Sequence, residues 1–523
     1  MTGASRGRLY GRSVLDGVFR AAPDEDLFLG ELLVAVDEVT GRRYLFRVVD
    51  VTYGTEHREP GWAERVAGTL LADDERGEPG AHRLYEPDRR TYRVAECRCL
   101  GYLAPDGTTF RKPKSLPTQF SKVVAPQPAD VEFLRSRMGD LAVGLLRSGE
   151  SVVGDFEVGI PGASLASHVG IFATTGMGKS NLMLVLAGQV LQANGRYGLL
   201  LVDPHGEYRG ELPRHPWAAG RLRTYANRSL PGTSRLRISL AELSVDDLRT
   251  AYEWSRPQEE ALFELERHYG GEGLSWLHGF SLLDDLAGFR EVELNNRVAL
   301  STLQVVHRRA RRIVDLDCVA TDPKVSTGAA IVRELEAGRV VLCDVSGLGP
   351  TEELLVASFL TRAVLDHWSS VYLRDPERHQ RLPVVAVVLE EAQRVLSSSR
   401  DKEANVFPRL AREGRKFKVG LCAITQQPKL LDGELLSQFN TFFVLGLADE
   451  KDRTILRSSA RQDMSALGPE IQTLMPGECL VANLAAPFAV PARVHLFEDS
   501  IRRAAPPPAP RPEARPNVAA LVD

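Results

Sequence analysis

The residues of this chain best suited to chemistry are Ala173-Thr174-Thr175-Gly176-Met177-Gly178-Lys179-Ser180. An apolar run, Val169-Gly170-Ile171-Phe172, precedes them, and a helical pattern over 181–192 follows. Strand, glycine-rich turn and helix is the context that a phosphate-binding loop requires. The glycines let backbone N–H groups close around the β- and γ-phosphates of a nucleotide. The residues expected to line it are Thr174, Thr175, Gly176, Met177, Gly178, Lys179, Ser180 and Asn181. Lys179 adds a positive charge, and Ser180 offers a hydroxyl to Mg²⁺. Ala173 stands where the eight-residue pattern begins with glycine, a small intrusion that leaves the Gly-x-Gly-Lys-Ser core intact. A chance Gly-Lys-Ser in a loop is the bland alternative, and the flanks argue against it.

A second group lies farther along. Pro383-Val384-Val385-Ala386-Val387-Val388-Leu389 is an apolar, β-branched run, as expected of a strand buried on both faces of a parallel sheet. Glu390 and Glu391 end it. A carboxylate at a strand's C-terminal edge can hold the Mg²⁺ shell, and its neighbour can polarise an attacking water. Glu390 is assigned to the metal and Glu391 to the water; a solvated pair opening a helix over 391–396 is the alternative. The run 417–424 reads as another buried strand, ending in Thr425-Gln426-Gln427-Pro428. An amide at that tip, Gln426, can contact both a γ-phosphate and the attacking water. Before it comes Ala411-Arg412-Glu413-Gly414-Arg415-Lys416, whose guanidinium groups could stabilise charge on a transferred phosphoryl group. The alternative there is a solvated basic helix end.

These strings, together with Leu201-Val202-Asp203-Pro204-His205-Gly206-Glu207-Tyr208 and Leu389-Glu390-Glu391-Ala392-Gln393, resemble in order and type those of HerA-type ATPases. That family consists of hexameric double-stranded DNA translocases of the FtsK–HerA group, and the resemblance spans roughly residues 1–500. It implies an α/β, RecA-like core with ATP and Mg²⁺ bound at subunit interfaces of a homohexameric ring, and duplex DNA in the pore. By the same resemblance Lys179 and Ser180 would bind phosphate and Mg²⁺, Glu391 would be the catalytic carboxylate and Gln426 the sensor. Arg412 or Arg415 would act near the γ-phosphate, Arg415 being the first choice. Three positions depart from the family pattern: Ala173, Glu390 where Asp is usual, and Gly446 where an arginine is usual. The role of that arginine could pass to Arg453 or Arg457, and an active but slow ATPase is expected.

Composition agrees with a nucleotide-dependent machine and excludes other classes. The chain has 523 residues, 43% hydrophobic and 26% charged, with a net charge of −4. A protein coated in positive charge is excluded, but a ring can concentrate basic residues in its pore. Six scattered cysteines suit packing in a reducing cytoplasm; Cys97-x-Cys99 reads as a strand rather than a zinc knuckle. No signal peptide and no apolar run of membrane-spanning length are found, so a cytoplasmic location is expected.

The expected organisation is a small β-barrel over 1–125 for assembly or partner docking. The first part of the ATPase core follows over 126–239, a helical insertion over 240–335 and the second part over 336–500. The barrel rests on β-like runs at 28–36 and 43–52 with turn signals at Thr40-Gly41 and Asp106-Gly107. Within the insertion, His307-Arg308-Arg309-Ala310-Arg311-Arg312 could face DNA, a partner or simply solvent. Weak candidates for pore loops are 397–404, with Arg400 and Lys402, and 416–418. The proline-rich end, 501–523, reads either as a disordered tail or as a latch onto an adjacent subunit. The leading function is a DNA translocase feeding a partner nuclease of the NurA kind in end processing. The alternative is a ring-shaped scaffold organising a nuclease or NAD-consuming effector in antiviral defence. A membrane-anchored conjugation pump is disfavoured.

Overall fold

The computed structural model describes residues 4–22, 24–56, 61–76, 91–397 and 405–504. Six strands, Gly7–Leu9, Asp16–Ala21, Leu32–Val36, Arg43–Thr55, Thr91–Leu103 and Lys122–Val124, close into an antiparallel barrel, with Phe110–Arg111 paired outside it. The period-2 alternation of Arg43–Thr55 and Thr91–Leu103 turns Tyr44, Phe46, Val48, Cys97 and Cys99 into one core with Leu9, Phe19 and Leu33. Cys97 and Cys99 thus share the inner face, and burial pushes both thiols up. The apolar run at 28–36 yields a strand only from Leu32 onward, because Gly30 turns the chain at φ +74°.

The core sheet has twelve strands. Eight run parallel, in the order Ser234–Arg235, Leu222–Ala226, Val340–Asp344, Tyr197–Asp203, Val384–Leu389, Val419–Thr425, Val169–Phe172, Thr441–Val444. Four antiparallel strands extend it: Glu478–Asn483, Val490–Val494, Leu141–Ser148 and Ser151–Ile160. The central strands are buried on both faces, which is why they read as unbroken apolar runs. One face packs on the helix Lys179–Gln192 through Leu182, Met183, Val185 and Leu186. The other packs on the long helix Pro350–Arg374 through Leu355, Phe359, Leu365 and Trp368. Helices cover both faces of a mostly parallel sheet, the RecA-like architecture expected from the sequence.

Between Leu222–Ala226 and Val340–Asp344 lie helices Val245–Ala251, Arg256–Tyr269, Trp276–Ser281, Leu286–Val292, Leu300–Val314 and Gly328–Glu336. Asp247 of the first is buried and accepts from Ser358 Oγ at 3.0 Å and Arg362 Nη2 at 2.6 Å, tying these helices to Pro350–Arg374. A two-stranded parallel pair, Ile238–Ser239 with Val319–Ala320, closes the segment. Two-residue strands leave no periodicity in a sequence, so nothing announced this pair.

Candidate nucleotide-binding site

Parallel register brings six strand ends to one edge of the sheet: Phe172 lies beside Thr425 and Val444, Leu389 beside Val202 and Ala423, and Asp203 beside Asp344. The residues that follow these strands therefore converge, as they do in open parallel sheets generally. The loop from Ala173 to Gly178 leads into Lys179–Gln192. Gly176 and Gly178 have φ of +82° and +99°, a region open to glycine and costly for side chains. The buried Ala173 methyl fits without displacing the loop, and Ala173 N–H reaches Thr425 O at 3.4 Å. Thr174 N–H is anchored on Gly446 O at 3.0 Å, and Met177 O accepts from Gly477 N–H at 3.2 Å. Half-buried Lys179 donates to Ala173 O at 3.3 Å. Burial lowers its pKa, and the negative charges of Glu391, Glu390 and Glu207 oppose that.

The Ser180 hydroxyl has no hydrogen-bond partner among the described residues, so it is free for an ion. Asn181 differs: its amide donates to His495 O at 2.8 Å and accepts from Phe497 N–H at 2.9 Å, so its side chain serves the fold.

Glu391 is not a solvated helix opener. The expected helix over 391–396 is one turn, Gln393–Leu396, and Glu391 precedes it at φ +49°, a strained conformation for glutamate. Its Oε1 accepts from Gln426 Nε2 at 3.4 Å, and its Oε2 from Gln393 Nε2 at 2.5 Å. Gln426 Oε1 in turn accepts from Thr175 Oγ1 at 2.5 Å, so the strand tip and the phosphate loop touch. Beside it, Glu390 Oε1 accepts from the buried hydroxyl of Tyr208. Burial raises the Glu390 pKa, while the Tyr208 bond works the other way. Asp203 orders the intervening string: its carboxylate accepts from N–H groups of His205, Gly206, Glu207 and Tyr208, at 3.2, 2.7, 3.3 and 3.0 Å. That cap turns Tyr208 inward to Glu390 and leaves His205 and Glu207 exposed. Among the described residues no group of three or more His, Cys, Asp or Glu could hold a metal ion by itself. The donor set at Ser180 and Glu390 suits Mg²⁺, which takes few protein ligands when phosphate oxygens supply the others.

Arg412 and Arg415 stand elsewhere. They sit in the helix Val406–Glu413 and the turn Gly414–Phe417, which enter the strand Val419–Thr425 from its N-terminal end. Seven strand residues separate them from Gln426, about 23 Å at ~3.3 Å per residue. Both are exposed and make no ion pair or hydrogen bond among the described residues. The nearby basic side chains are engaged: Lys418 Nζ donates to His379 O, Gln380 O and Leu382 O, and Lys416 lies 5.0 Å over the Tyr372 ring. The other pore-loop candidates, 398–404 with Arg400 and Lys402, lie outside the described residues, as does the tail beyond 504.

The 307–312 cluster is only in part an open surface. His307 is buried edge-on to Phe280, Arg309 stacks 4.3 Å over Trp254, Arg311 donates to Ser281 O and Arg312 faces Glu352 at 3.5 Å. Arg453 and Arg457 are likewise occupied, since Arg453 is buried on Leu447 O, Ala448 O and Glu450, and Arg457 pairs with Glu450. The place of the missing side chain at Gly446 is filled by Met177, whose Cε lies 2.4 Å from where a Cβ would stand.

Residues 143–364 match the family model described as the central domain of helicase HerA. The chain is 25% identical over 366 residues to the DNA double-strand break repair helicase HerA of Saccharolobus solfataricus, covering 68% of this chain and 70% of that one. It is 24% identical over 377 residues to the protein of the same name from Sulfolobus acidocaldarius, covering 69% and 71%. Among solved structures, VirB4 of Thermoanaerobacter pseudethanolicus is similar with a TM-score of 0.46 at 16% identity, over 68% of this chain and 96% of that one. No helix among the described residues is long and apolar enough to cross a membrane. With a phosphate loop, paired carboxylates and a strand-tip amide on one sheet edge, the chain is a P-loop ATPase similar to the HerA helicases.

Proposed function

We propose that this ATPase is a ring-forming translocase of double-stranded DNA that delivers duplex to a partner nuclease in end processing. One observation carries the reading: Lys179, Glu391 and Gln426 gather at one sheet edge, while two unpaired arginines stand at the other end of the Val419–Thr425 strand. Arg412 and Arg415 are too far from their own phosphate loop to serve it, which supports a role at a neighbour's. A ring, with six subunits as in the family it resembles, satisfies that arrangement. The names of the relatives, DNA double-strand break repair helicases, favour DNA as the track.

In this reading Lys179 pairs with the phosphates and the first turn of Lys179–Gln192 presents its N–H groups to them. Ser180 and Glu390 would hold Mg²⁺, Glu390 through a water because Tyr208 occupies one of its oxygens, and the bound ion would supply positive charge to the phosphates. Glu391 orients and polarises the attacking water, Gln426 senses the γ-phosphate, and Arg415, or Arg412, of the adjacent subunit stabilises the transferred group. Movement along DNA would rest on phosphate contacts independent of sequence.

The test is steady-state ATP hydrolysis with and without long duplex DNA, with Glu391→Gln as the blank. Stimulation by duplex that vanishes in the variant supports the motor. Hydrolysis indifferent to DNA overturns it and leaves the second reading, a ring that organises a nuclease or NAD-consuming defence effector. Gly446, filled by Met177, and Glu390, tied to Tyr208, favour slow turnover and so give that reading its footing.

A further inference from the structure

We propose that Gln393 is a positioning residue for ATP hydrolysis: with Thr425 it forms a fixed clamp on the Glu391 carboxylate, independent of Gln426. The inference rests on the reading of Glu391 as the group that acts on water.

A glutamine amide has two ends that differ chemically, and only a directional neighbour decides which end faces which way. Here that neighbour is the Glu391 carboxylate, which offers only acceptors. Gln393 therefore turns its NH₂ to Glu391 Oε2 at 2.5 Å. That leaves its Oε1 facing the Thr425 hydroxyl, which donates to it at 2.5 Å. The same hydroxyl oxygen accepts from the Gln427 backbone N–H at 3.0 Å, which holds it in place. The amide is thus held at both ends, by the carboxylate and by a hydroxyl anchored on the backbone. The sheet sets the distance, since Leu389 and Ala423 are register partners on adjacent strands.

The same carboxylate takes a second amide, Gln426, on Oε1, but that amide is tied at its far end to Thr175 of the phosphate loop. The two clamps differ in their anchors. Gln426 is fastened to the element that touches nucleotide and can turn toward it, whereas Gln393 is fastened to the sheet. Glu391 sits at φ +49°, so its backbone supplies no relaxed geometry of its own. A carboxylate on a strained backbone, and losing one partner whenever the sensor moves, requires a partner that stays. Gln393 supplies it, and keeps Glu391 Oε1 directed at the water position while Gln426 is engaged elsewhere.

The experiment measures kcat and KM for ATP in the full-length protein, with binding of a fluorescent ATP analogue alongside, for Gln393→Leu, Thr425→Val, Thr425→Ser and Glu391→Gln. Gln393→Leu should lower kcat by about a hundredfold, the scale of a misplaced reacting group, with KM and analogue binding within about twofold of wild type. Thr425→Val keeps the side-chain shape and should lower kcat in the same manner, while Thr425→Ser, which restores the hydroxyl, should return it. Wild-type kcat in Gln393→Leu and Thr425→Val, with Glu391→Gln inactive, overturns the clamp and leaves the Glu391 reading standing. Wild-type kcat in Glu391→Gln removes both. If Gln393→Leu loses analogue binding through misfolding, the Thr425 pair decides alone.

Discussion

Arg47, from the barrel, and Glu470, from the ATPase core, face each other at 3.7 Å with side chains 1% and 4% exposed. Arg147 shares the same carboxylate, and it is equally buried. Two guanidinium groups and one carboxylate are thus sealed where the barrel meets the core. Arg47 Nη2 donates to Ala489 O at 2.7 Å and Arg147 Nη1 to Gly149 O at 2.9 Å, which gives the second positive charge carbonyl partners. Burial draws the Arg47 pKa down, with Glu470 opposing the change. Glu470→Gln would strand both cations, so it should destabilise the fold by about 3–5 kcal/mol. Urea unfolding monitored by tryptophan fluorescence measures this; a loss under about 1 kcal/mol would show the charges to be solvated.

Gly446 and Met177 make a narrower prediction. Gly446→Ala drives a methyl against Met177 Cε and to within 3.1 Å of Leu474 O. Overpacking of this kind costs about 1–3 kcal/mol, and here the flexible thioether yields first. Because Met177 belongs to the phosphate loop, affinity for nucleotide should fall. The double variant Gly446→Ala, Met177→Ala should regain it, and titration with a fluorescent ATP analogue reads both. Equal affinity in Gly446→Ala and wild type would show that the loop is indifferent to this neighbour.

His168 yields a pH dependence. Its ring is buried, Nδ1 accepts from Leu421 N–H at 3.0 Å, and burial chiefly, with Arg415 nearby, lowers its pKa to about 4. In the unfolded chain an imidazole titrates near ~6.5. Above that pH neither state binds the proton, and stability is unaffected. As pH falls toward 4 the unfolded state takes it up first, so stability declines through that window. The share of His168 between pH 7 and pH 5 is about 2 kcal/mol. His168→Asn keeps an acceptor for Leu421 N–H, at a backbone of φ +62° and ψ 137° that is strained for either side chain. Denaturant unfolding at both pH values should show the decline reduced by that amount, and an unchanged slope would refute the assignment.

The free arginines predict complementation. Arg415→Ala and Lys179→Ala should each be nearly inactive alone. Mixed, they should recover part of the hydrolysis, because an intact phosphate loop then meets an intact arginine across an interface. Arg412→Ala repeats the test for the other candidate. No recovery from any mixture would place the catalytic arginine within the same subunit or remove it.

Much of the site was legible because it is local. The loop from Ala173 to Ser180 is contiguous, and Glu390, Glu391 and Gln426 sit where apolar strands stop, a boundary that hydrophobicity alone marks. The barrel announced itself through alternation in the strands around Tyr44 and Cys97. Other contacts were not legible because distant segments create them. Gln393 meets Thr425 only through the register of two strands, and Tyr208 reaches Glu390 across 182 positions of chain. Charge runs misled for a related reason. Arg309 and Lys418 look free in a sequence, but an indole and three carbonyl oxygens claim them.

The ladder of the core sheet runs unbroken through twelve strands, from Ser234–Arg235 to Ser151–Ile160. A plate so stitched has no internal crease: bending it would part several rows of backbone hydrogen bonds at once. The sheet must therefore move as one stiff tile, and in the proposed ring any stroke would have to be made at the grout lines between tiles.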